Sequence, residues 1–437
     1  MLRLLLALQI LYTVYQNHYV FESGVPGVNL PNALFLVTLV LLWSSGKRDA
    51  VAPQAMLRGA VLLFMAMLAL AFAIAQLRAP GDLMADLTYL KNALFAPLLY
   101  FMYLHCRQDL KNTRLLVIVV MAVAALAAVQ AIRQGFDYGI GNYVESHRAA
   151  GPFGSNYRDA NRAGVYYAMF LPLFIGMALF ARDKRWRLAA LAGVVLLAMA
   201  LLFTYSRQAY FIAVFGLVVL LFRRSVLLAL VLGVALASLI GYLPDSVTQR
   251  VAGTEQQGPH GEDQVDESTA SRWEIWTGAL AMWQDHPAGV GQNRFKQEIG
   301  HYSAFRGYDA HNFYVLTLAE GGPQALLALL LLVWATFRLG TWLRRKAPPD
   351  DPEAQALAIG FSVCAVCMAL GNLYGSPFLE GNVMGTFWIL CGLLERYMLL
   401  KTQQAPSASA PAPQAAASVF ARYPLAARAR GISARRP

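Results

Sequence analysis

Apolar runs of about 17 to 24 residues recur almost from end to end of this chain, separated by short polar breaks. A helix needs about 20 mainly apolar residues to cross the hydrocarbon core of a bilayer. Each run therefore reads as a transmembrane helix. Twelve are expected, at about 2–20, 29–45, 55–77, 84–105, 114–132, 164–181, 187–204, 207–222, 225–243, 311–338, 354–374 and 383–400. No small-residue cleavage site follows the first run, so it is read as a retained helix rather than a signal peptide. Outer-membrane barrels alternate polar and apolar residues over ten-residue strands and lack runs of this kind. The pattern predicts an all-α polytopic membrane protein.

Composition agrees. Of 437 residues, 57% are hydrophobic and only 14% charged, against about 25% charged in an average soluble domain. A soluble enzyme, a secreted disulfide scaffold and a disordered chain are excluded. The net charge of +11 would suggest nucleic acid in a soluble protein. Here the cations sit in alternate short loops and the tail, so a membrane is the expected partner and nucleic acid is not. One set of loops holds Lys47, Arg48, Arg58, Arg107, Lys111, Arg114, Arg182–Arg187, Arg223, Arg224 and Arg338–Lys346. Short cytoplasmic loops collect Lys and Arg, which places this face and both termini inside.

The opposite face carries two long segments, 133–163 and 244–310, and short turns near Arg78–Asp82 and Asn372–Gly381. The expected organisation is a nine-helix membrane region over 1–243 that includes the loop 133–163, a large outer loop over 244–310 between helices 9 and 10, and the last three helices over 311–401. Residues 402–437, rich in Ala, Pro, Ser and Arg, are expected to form a disordered basic tail that rests on membrane lipids. Asp86 and Lys91 are the main charges within a span and are expected to pair.

The outer segments hold the candidate chemistry. In 244–310, a polar stretch from Gln256 to Ser268 reads as a linker. Beyond it Trp273, Trp276, Leu280 and Trp283 are spaced three, four and three apart, which puts them on one helical face. A short helix lying along the membrane surface is expected there, ended by Asp285-His286-Pro287, with Arg272 in its first turn. Arg272 is either a surface arginine paired with Glu267 or Glu274, or an anion ligand beside free helix N–H groups. Arg207 in Thr204-Tyr205-Ser206-Arg207-Gln208 is a charge at a span end on the outer side. It either snorkels to lipid phosphate or has a functional partner. His311, where the outer loop enters the tenth span, is either a hydrogen-bonded residue at a helix end or a proton acceptor.

Cys364 and Cys367 form a C-x-x-C inside an apolar helix and read as packing cysteines. No Walker loop, no H-x-x-x-H pair and no G-x-S-x-G elbow occurs in the sequence. One histidine and several arginines on one membrane face suit an anionic, phosphorylated, lipid-borne substrate.

At these residues the chain resembles the O-antigen ligase family of the O-antigen ligase/polymerase superfamily. His311-Asn312, nine residues and then Gly322 look like the His-[Asn/Ser/Gln]-x9-Gly signature. Ser206-Arg207, and Arg272 with Trp276, Pro287, Gly289 and Gly291, look like superfamily patterns, as does Arg148 to Arg162 with Gly151-Pro152-Phe153. The resemblance implies a GT-C-type glycosyltransferase of the bacterial inner membrane. It would move O-antigen polysaccharide from undecaprenyl diphosphate to a hydroxyl of lipid A–core oligosaccharide at the periplasmic face. It implies neither ATP, nor metal, nor any cofactor. By carry-over, His311 is the candidate general base, and Arg207 and Arg272 are the candidate diphosphate ligands. Arg148, Arg158 and Arg162 are further candidates, and Glu380 would orient the base or the acceptor. The rivals are an O-antigen polymerase, a protein O-oligosaccharyltransferase using the same donor, and a polysaccharide or lipid transporter.

Overall fold

The computed structural model describes residues 1–18, 30–44, 51, 55–139, 144–154, 159–227, 230–231, 233–234, 255–257, 263–265 and 267–404. In chain order the helices are α1 (Leu2–Tyr15), α2 (Leu30–Ser44), α3 (Arg58–Arg78), α4 (Leu83–Leu104), α5 (Leu110–Tyr138), α6 (Asp159–Phe180), α7 (Lys184–Phe203) and α8 (Arg207–Arg224). There follow α9 (Glu267–Asp285), α10 (Phe295–Glu298), α11 (Phe313–Lys346), α12 (Pro352–Gly371) and α13 (Gly381–Gln404). Among the described residues seven helices (α3, α5, α6, α7, α11, α12 and α13) are long and apolar enough to cross a membrane, and α1, α2 and part of α8 are shorter apolar helices. The protein is a polytopic helical membrane protein. Most of the expected ninth span, 225–243, falls outside the described residues, as do Arg158 and the tail beyond Gln404.

Side-chain caps set where several helices start. Asp82, Asp109, Asp183 and Asp351 each accept a hydrogen bond from a backbone N–H in the first turn of α4, α5, α7 and α12, satisfying donors that a helix start leaves open. Burial separates core from rim. In the most apolar window of α13, 94% of residues are buried, and in α6 83%, whereas α3 and α7 bury only 28%. So α13, α6 and α12 form the centre, and α3 and α7 present apolar surface outward to lipid. Glycines let the central helices approach closely. A Cβ on Gly360 would stand 2.8 Å from Leu173 Cα, and one on Gly392 would stand 2.5 Å from the Tyr100 carbonyl oxygen. Helix pairs within a bilayer use small residues in this way.

The boundaries of the first outer loop differ from the sequence expectation. Helix α5 continues to Tyr138, supported by a Gln134–Tyr138 side-chain hydrogen bond of 2.7 Å, and ends at Gly139 with φ +86°. Helix α6 starts at Asp159, which takes a hydrogen bond from Arg162 one turn on. The loop is therefore shorter at both ends than 133–163. Within the stretch read as a linker, Glu255–Gln257 pairs antiparallel with Asp263–Val265, forming strands β1 and β2.

Long-range contacts define the two ends of the bundle. At one end Arg3 bonds Asn112, Arg396 bonds the carbonyls of Leu104 and Gln108, and Arg114 pairs with Glu353. The start of α1 and the end of α13 both lie here. At the other end Asn17 and Asn382 bond the Phe153 carbonyl, and Gln208 bonds the Gly371 carbonyl. Among the described residues, the basic residues Arg3, Arg114, Arg396 and Lys401 belong to the first end, and Phe153 and the Gly371–Ser376 turn to the second.

All four cysteines are free and buried. Cys364 and Cys367 lie in α12, and the Cys367 thiol faces the Ile212 carbonyl at 3.8 Å. They pack between helices, as read from the sequence. The expected Asp86–Lys91 pair is not formed. Five residues along a helix turn the side chains about 140° apart, and Lys91 is exposed. Asp86 pairs instead with Arg294, from a loop 208 residues further on.

Candidate active site

One turn gathers the three principal candidates. Gly371–Ser376 links α12 to the segment before α13, and three elements close on it. The first is the start of α8, where Gln208, next to Arg207, donates to the Gly371 carbonyl at 2.9 Å. The second is α9, where the Arg272 guanidinium lies 5.8 Å from the Tyr374 ring centroid and the Trp276 ring 5.7 Å from it. The third is the start of α11, where the Phe313 N–H donates to the carbonyls of Asn372 and Gly375. His311 precedes that helix by two residues. Trp276 ties α9 to the same strand of chain through a 2.7 Å hydrogen bond to the Ala310 carbonyl. Asp309 accepts from the His311 N–H and from Ser376 Oγ, both at 3.3 Å. The turn thus brings Arg207, Arg272 and His311 to one end of the bundle.

The local backbone explains why these residues are placed there. Arg207 is the first residue of α8, and Ser206 precedes it without a side-chain cap bond. A helix start beside a guanidinium is a geometry that suits an anion. Tyr205 and His311 both have φ +48°, a left-handed conformation that side chains disfavour. Such strain concentrates at functional positions. At His311 it turns the chain sharply before Asn312, whose side chain accepts from the N–H groups of Tyr314 and Val315 and so starts α11.

The spacing from Asn312 to Gly322 now has a physical content. Gly322 has φ +71° and ψ −176°, a break inside α11, and Pro323 begins the next helical stretch. That φ/ψ region is essentially glycine-only. The break receives the loop after α9. Val290 N–H donates to the Ala319 carbonyl and Gly291 N–H to the Glu320 carbonyl, both at 2.9 Å. A Cβ on Gly289 would stand 2.4 Å from the Glu320 carbonyl oxygen, and one on Gly291 2.4 Å from Ala75 Cα. Asn312 caps one end of a nine-residue helical segment and Gly322 ends the other, so the motif fixes His311 relative to the docked loop.

Helix α9 departs from expectation in where it begins. It begins at Glu267, so Arg272 lies in its second turn, not its first. The fully buried face of α9 is Ile275, Ala279 and Met282, while Trp273 and Leu280 are exposed and Trp276 and Trp283 half-buried. The tryptophan face is thus partly buried, with Trp276 held against the bundle and Trp273 and Leu280 open.

The remaining candidates form a second group beside the first. Arg148 is 4% exposed and donates to the Thr204 carbonyl at 2.9 Å and to Asn161 Oδ1 at 2.6 Å. It braces the turn that leads into Arg207. Arg162 pairs with Glu380 at 2.9 Å and with Asp159 at 3.0 Å. Burial pushes the Glu380 carboxyl above its ordinary range, and Arg162 opposes the shift. Two residues before Glu380, Phe378 stacks on Phe313 with ring centroids 4.8 Å apart, which places this pair near the start of α11. Of the other histidines after α9 begins, His286 takes a 2.8 Å contact from Arg78, whose other nitrogen donates to the Gly289 carbonyl at 3.0 Å. His301 is exposed.

Sequence reading missed Arg294. It is 1% exposed, and Asp86 is 2% exposed. The guanidinium takes both carboxylate oxygens of Asp86, and its Nε donates to the Ala79 carbonyl at 2.9 Å. Gln76 and Asn293 complete the carboxylate's partners at 2.8 and 3.0 Å. An intramembrane acid in need of a partner was the available signal; the partner's position was not, because it depends on how the outer loop docks. Among the described residues no group of three His, Cys, Asp or Glu side chains is placed to hold a metal ion.

The fold and this cation-lined end define a multi-pass membrane protein with a polar site at one end of its helical bundle. Residues 192–331 match the family model described as O-antigen ligase. The match spans about a third of the chain and supports the family resemblance read from the motifs. The matched segment runs from within α7 past the α11 break and contains Arg207, Arg272, His311 and Gly322. Arg148, Arg162, Glu380 and Asp86 lie outside it. Comparison with curated proteins returned no match.

Proposed function

We propose that the protein is an O-antigen ligase, a GT-C-type glycosyltransferase of the bacterial inner membrane with twelve spans and cytoplasmic termini. It transfers O-antigen polysaccharide from undecaprenyl diphosphate to a hydroxyl of lipid A–core oligosaccharide at the periplasmic face. The observation that carries the reading is the convergence of the starts of α8 and α11 and of α9, all within the segment that matches the family, on the Gly371–Ser376 turn, which lies beyond that segment.

In the proposed reaction the acceptor oxygen attacks the anomeric carbon while His311 takes its proton. The bond from that carbon to the diphosphate oxygen breaks, and undecaprenyl diphosphate leaves with the electron pair. Arg207, at the start of α8, and Arg272 hold the charge that develops on the leaving group. A single displacement inverts the anomeric centre. The donor is already a diphosphate ester, so alignment and charge stabilisation are what the protein supplies. Arg148 acts through the turn before Arg207, and Arg162 with Glu380 flanks the acceptor side. The proposal extends to Arg158 by the motif alone.

Reconstitution of the full chain with lipid-linked O-antigen and rough lipopolysaccharide tests the reading. The expected product is a ladder of higher-mass lipopolysaccharide together with free undecaprenyl diphosphate. Lengthened polysaccharide still on the prenyl lipid would make the protein a polymerase. Movement of unchanged donor across the bilayer would make it a transporter.

A further inference from the structure

Two cavities lie at the end of the bundle remote from His311, and they share Arg114 and Glu353. Helix α12 measures the separation, running from Glu353 at these cavities to Gly371 at the candidate active site, a rise of about 27 Å. The first cavity is polar, about 550 Å³, and opens among Asp109, Lys111, Arg114, Asp351, Glu353 and Lys401. The second is an apolar trough of about 220 Å³ between α5, α6 and α7. Small residues, Ala122, Ala125, Ala192 and Gly193, open its walls between larger side chains such as Ile118, Phe174 and Leu196. Trp186 stands at the junction, its ring 5.3 Å beneath the Arg114 guanidinium.

The dimensions and charges match one kind of occupant. From Arg114 to Ala125 the trough follows α5 for eleven residues, about 16 Å. Half the hydrocarbon thickness of a bilayer is about 15 Å, so the trough is one leaflet deep. The polar cavity presents three cations and three carboxylates. Arg114 and Glu353 make a two-point pair, and Lys401 pairs with Asp351. A balanced mouth of this kind complements a head group that itself carries both signs. Phosphate oxygens suit Lys111 and Lys401, and a primary ammonium, with three N–H donors, suits Asp109 and Asp351. A head with only negative charge leaves the carboxylates opposed, and a quaternary ammonium has no proton to donate to them.

We propose that these joined cavities bind one phospholipid of the phosphatidylethanolamine type, its head in the polar cavity and one acyl chain in the trough. The lipid bridges α5, α7 and α12 at the face opposite the candidate active site. Phosphatidylcholine and phosphatidylglycerol are the competing occupants to exclude.

Native mass spectrometry of the full chain, stripped of lipid and titrated separately with phosphatidylethanolamine, phosphatidylcholine and phosphatidylglycerol, tests the site. One phosphatidylethanolamine should bind about tenfold more tightly than either other lipid. Ala122 and Ala192 are exposed, so the folded bundle accommodates larger side chains there. Ala122→Phe with Ala192→Phe should abolish the preferential binding, and Lys111→Ala should weaken it. In the unaltered protein, phosphatidylethanolamine with a photoreactive acyl chain should label the peptides containing Ala122 and Ala192 above the exposed face of α2 around Leu36 and Val40. Equal binding of the three lipids, full binding by the filled variant, or labelling no stronger than on α2 would each overturn the proposal.

Discussion

Replacing Gly322 by alanine tests the structural meaning of the nine-residue spacing after Asn312. The residue holds φ +71° and ψ −176°, where an L side chain costs about 1–3 kcal/mol of backbone strain. The new Cβ would also stand 2.9 Å from the Ala288 carbonyl carbon, a backbone atom, and 2.7 Å from Gln324 Nε2. The Gln324 side chain can swing aside, but Ala288 moves only with its loop. That movement puts at risk the Val290–Ala319 and Gly291–Glu320 backbone bonds, each worth about 1 kcal/mol net. A loss of about 3 kcal/mol or more is expected. Gly59→Ala is the control, since nothing lies within 4 Å of the Cβ added there and alanine favours a helix by up to about 1 kcal/mol. Thermal unfolding in detergent, followed by tryptophan fluorescence, should show a clear drop for Gly322→Ala and none for Gly59→Ala. Transfer activity should fall with Gly322→Ala even below the unfolding range, because the loop docked at the break is displaced. Equal melting of the two variants with activity retained would refute the argument.

Asp86→Ala should destabilise the protein by about 3–5 kcal/mol, since it leaves the Arg294 guanidinium buried without its carboxylate; the Asp86→Leu, Arg294→Met double variant should recover much of that loss in the same melting assay. Arg207→Lys and Arg272→Lys should recover only part of the activity lost in the alanine variants, because an ammonium lacks the two-point fork; recovery to the unaltered level would reduce both roles to charge. Burial raises the Glu380 carboxyl above its ordinary value of 4.5, so the folded state holds that proton to higher pH than the unfolded state does. Stability should therefore fall as pH rises through the window above 4.5, and Glu380→Gln should flatten that slope in melting curves taken across the acid range.

The helical class was legible because apolar run length reports the bilayer directly; run length alone placed the starts of α5 and α7 three or four residues late, because the polar first turns that Asp109 and Asp183 cap do not count as apolar. The Asn312–Gly322 spacing was visible as a motif, but its meaning was not. It needs the loop at 288–291 to be seen resting in the α11 break. Arg207, Arg272 and His311 were found as polar residues on an apolar background, each beside a turn signal. Their common neighbour, the Gly371–Ser376 turn, carries no charge that would draw attention to it. Asp86 marked itself as a buried acid, yet the nearest cation in sequence lay on the wrong side of the helix and the true partner is 208 positions away. Local pattern gives elements and caps; pairings between distant loops follow from packing that no local pattern encodes.

In the proposed reaction the labour is divided: guanidinium groups bind the donor diphosphate and one imidazole moves the proton. Single-turnover transfer measured against donor concentration separates the two. His311→Ala should lower the saturating rate by about 10²–10⁴ and leave the half-saturating donor concentration unchanged, whereas Arg207→Ala should raise that concentration. A His311→Ala enzyme that keeps its saturating rate, or that loses only donor affinity, would contradict the account.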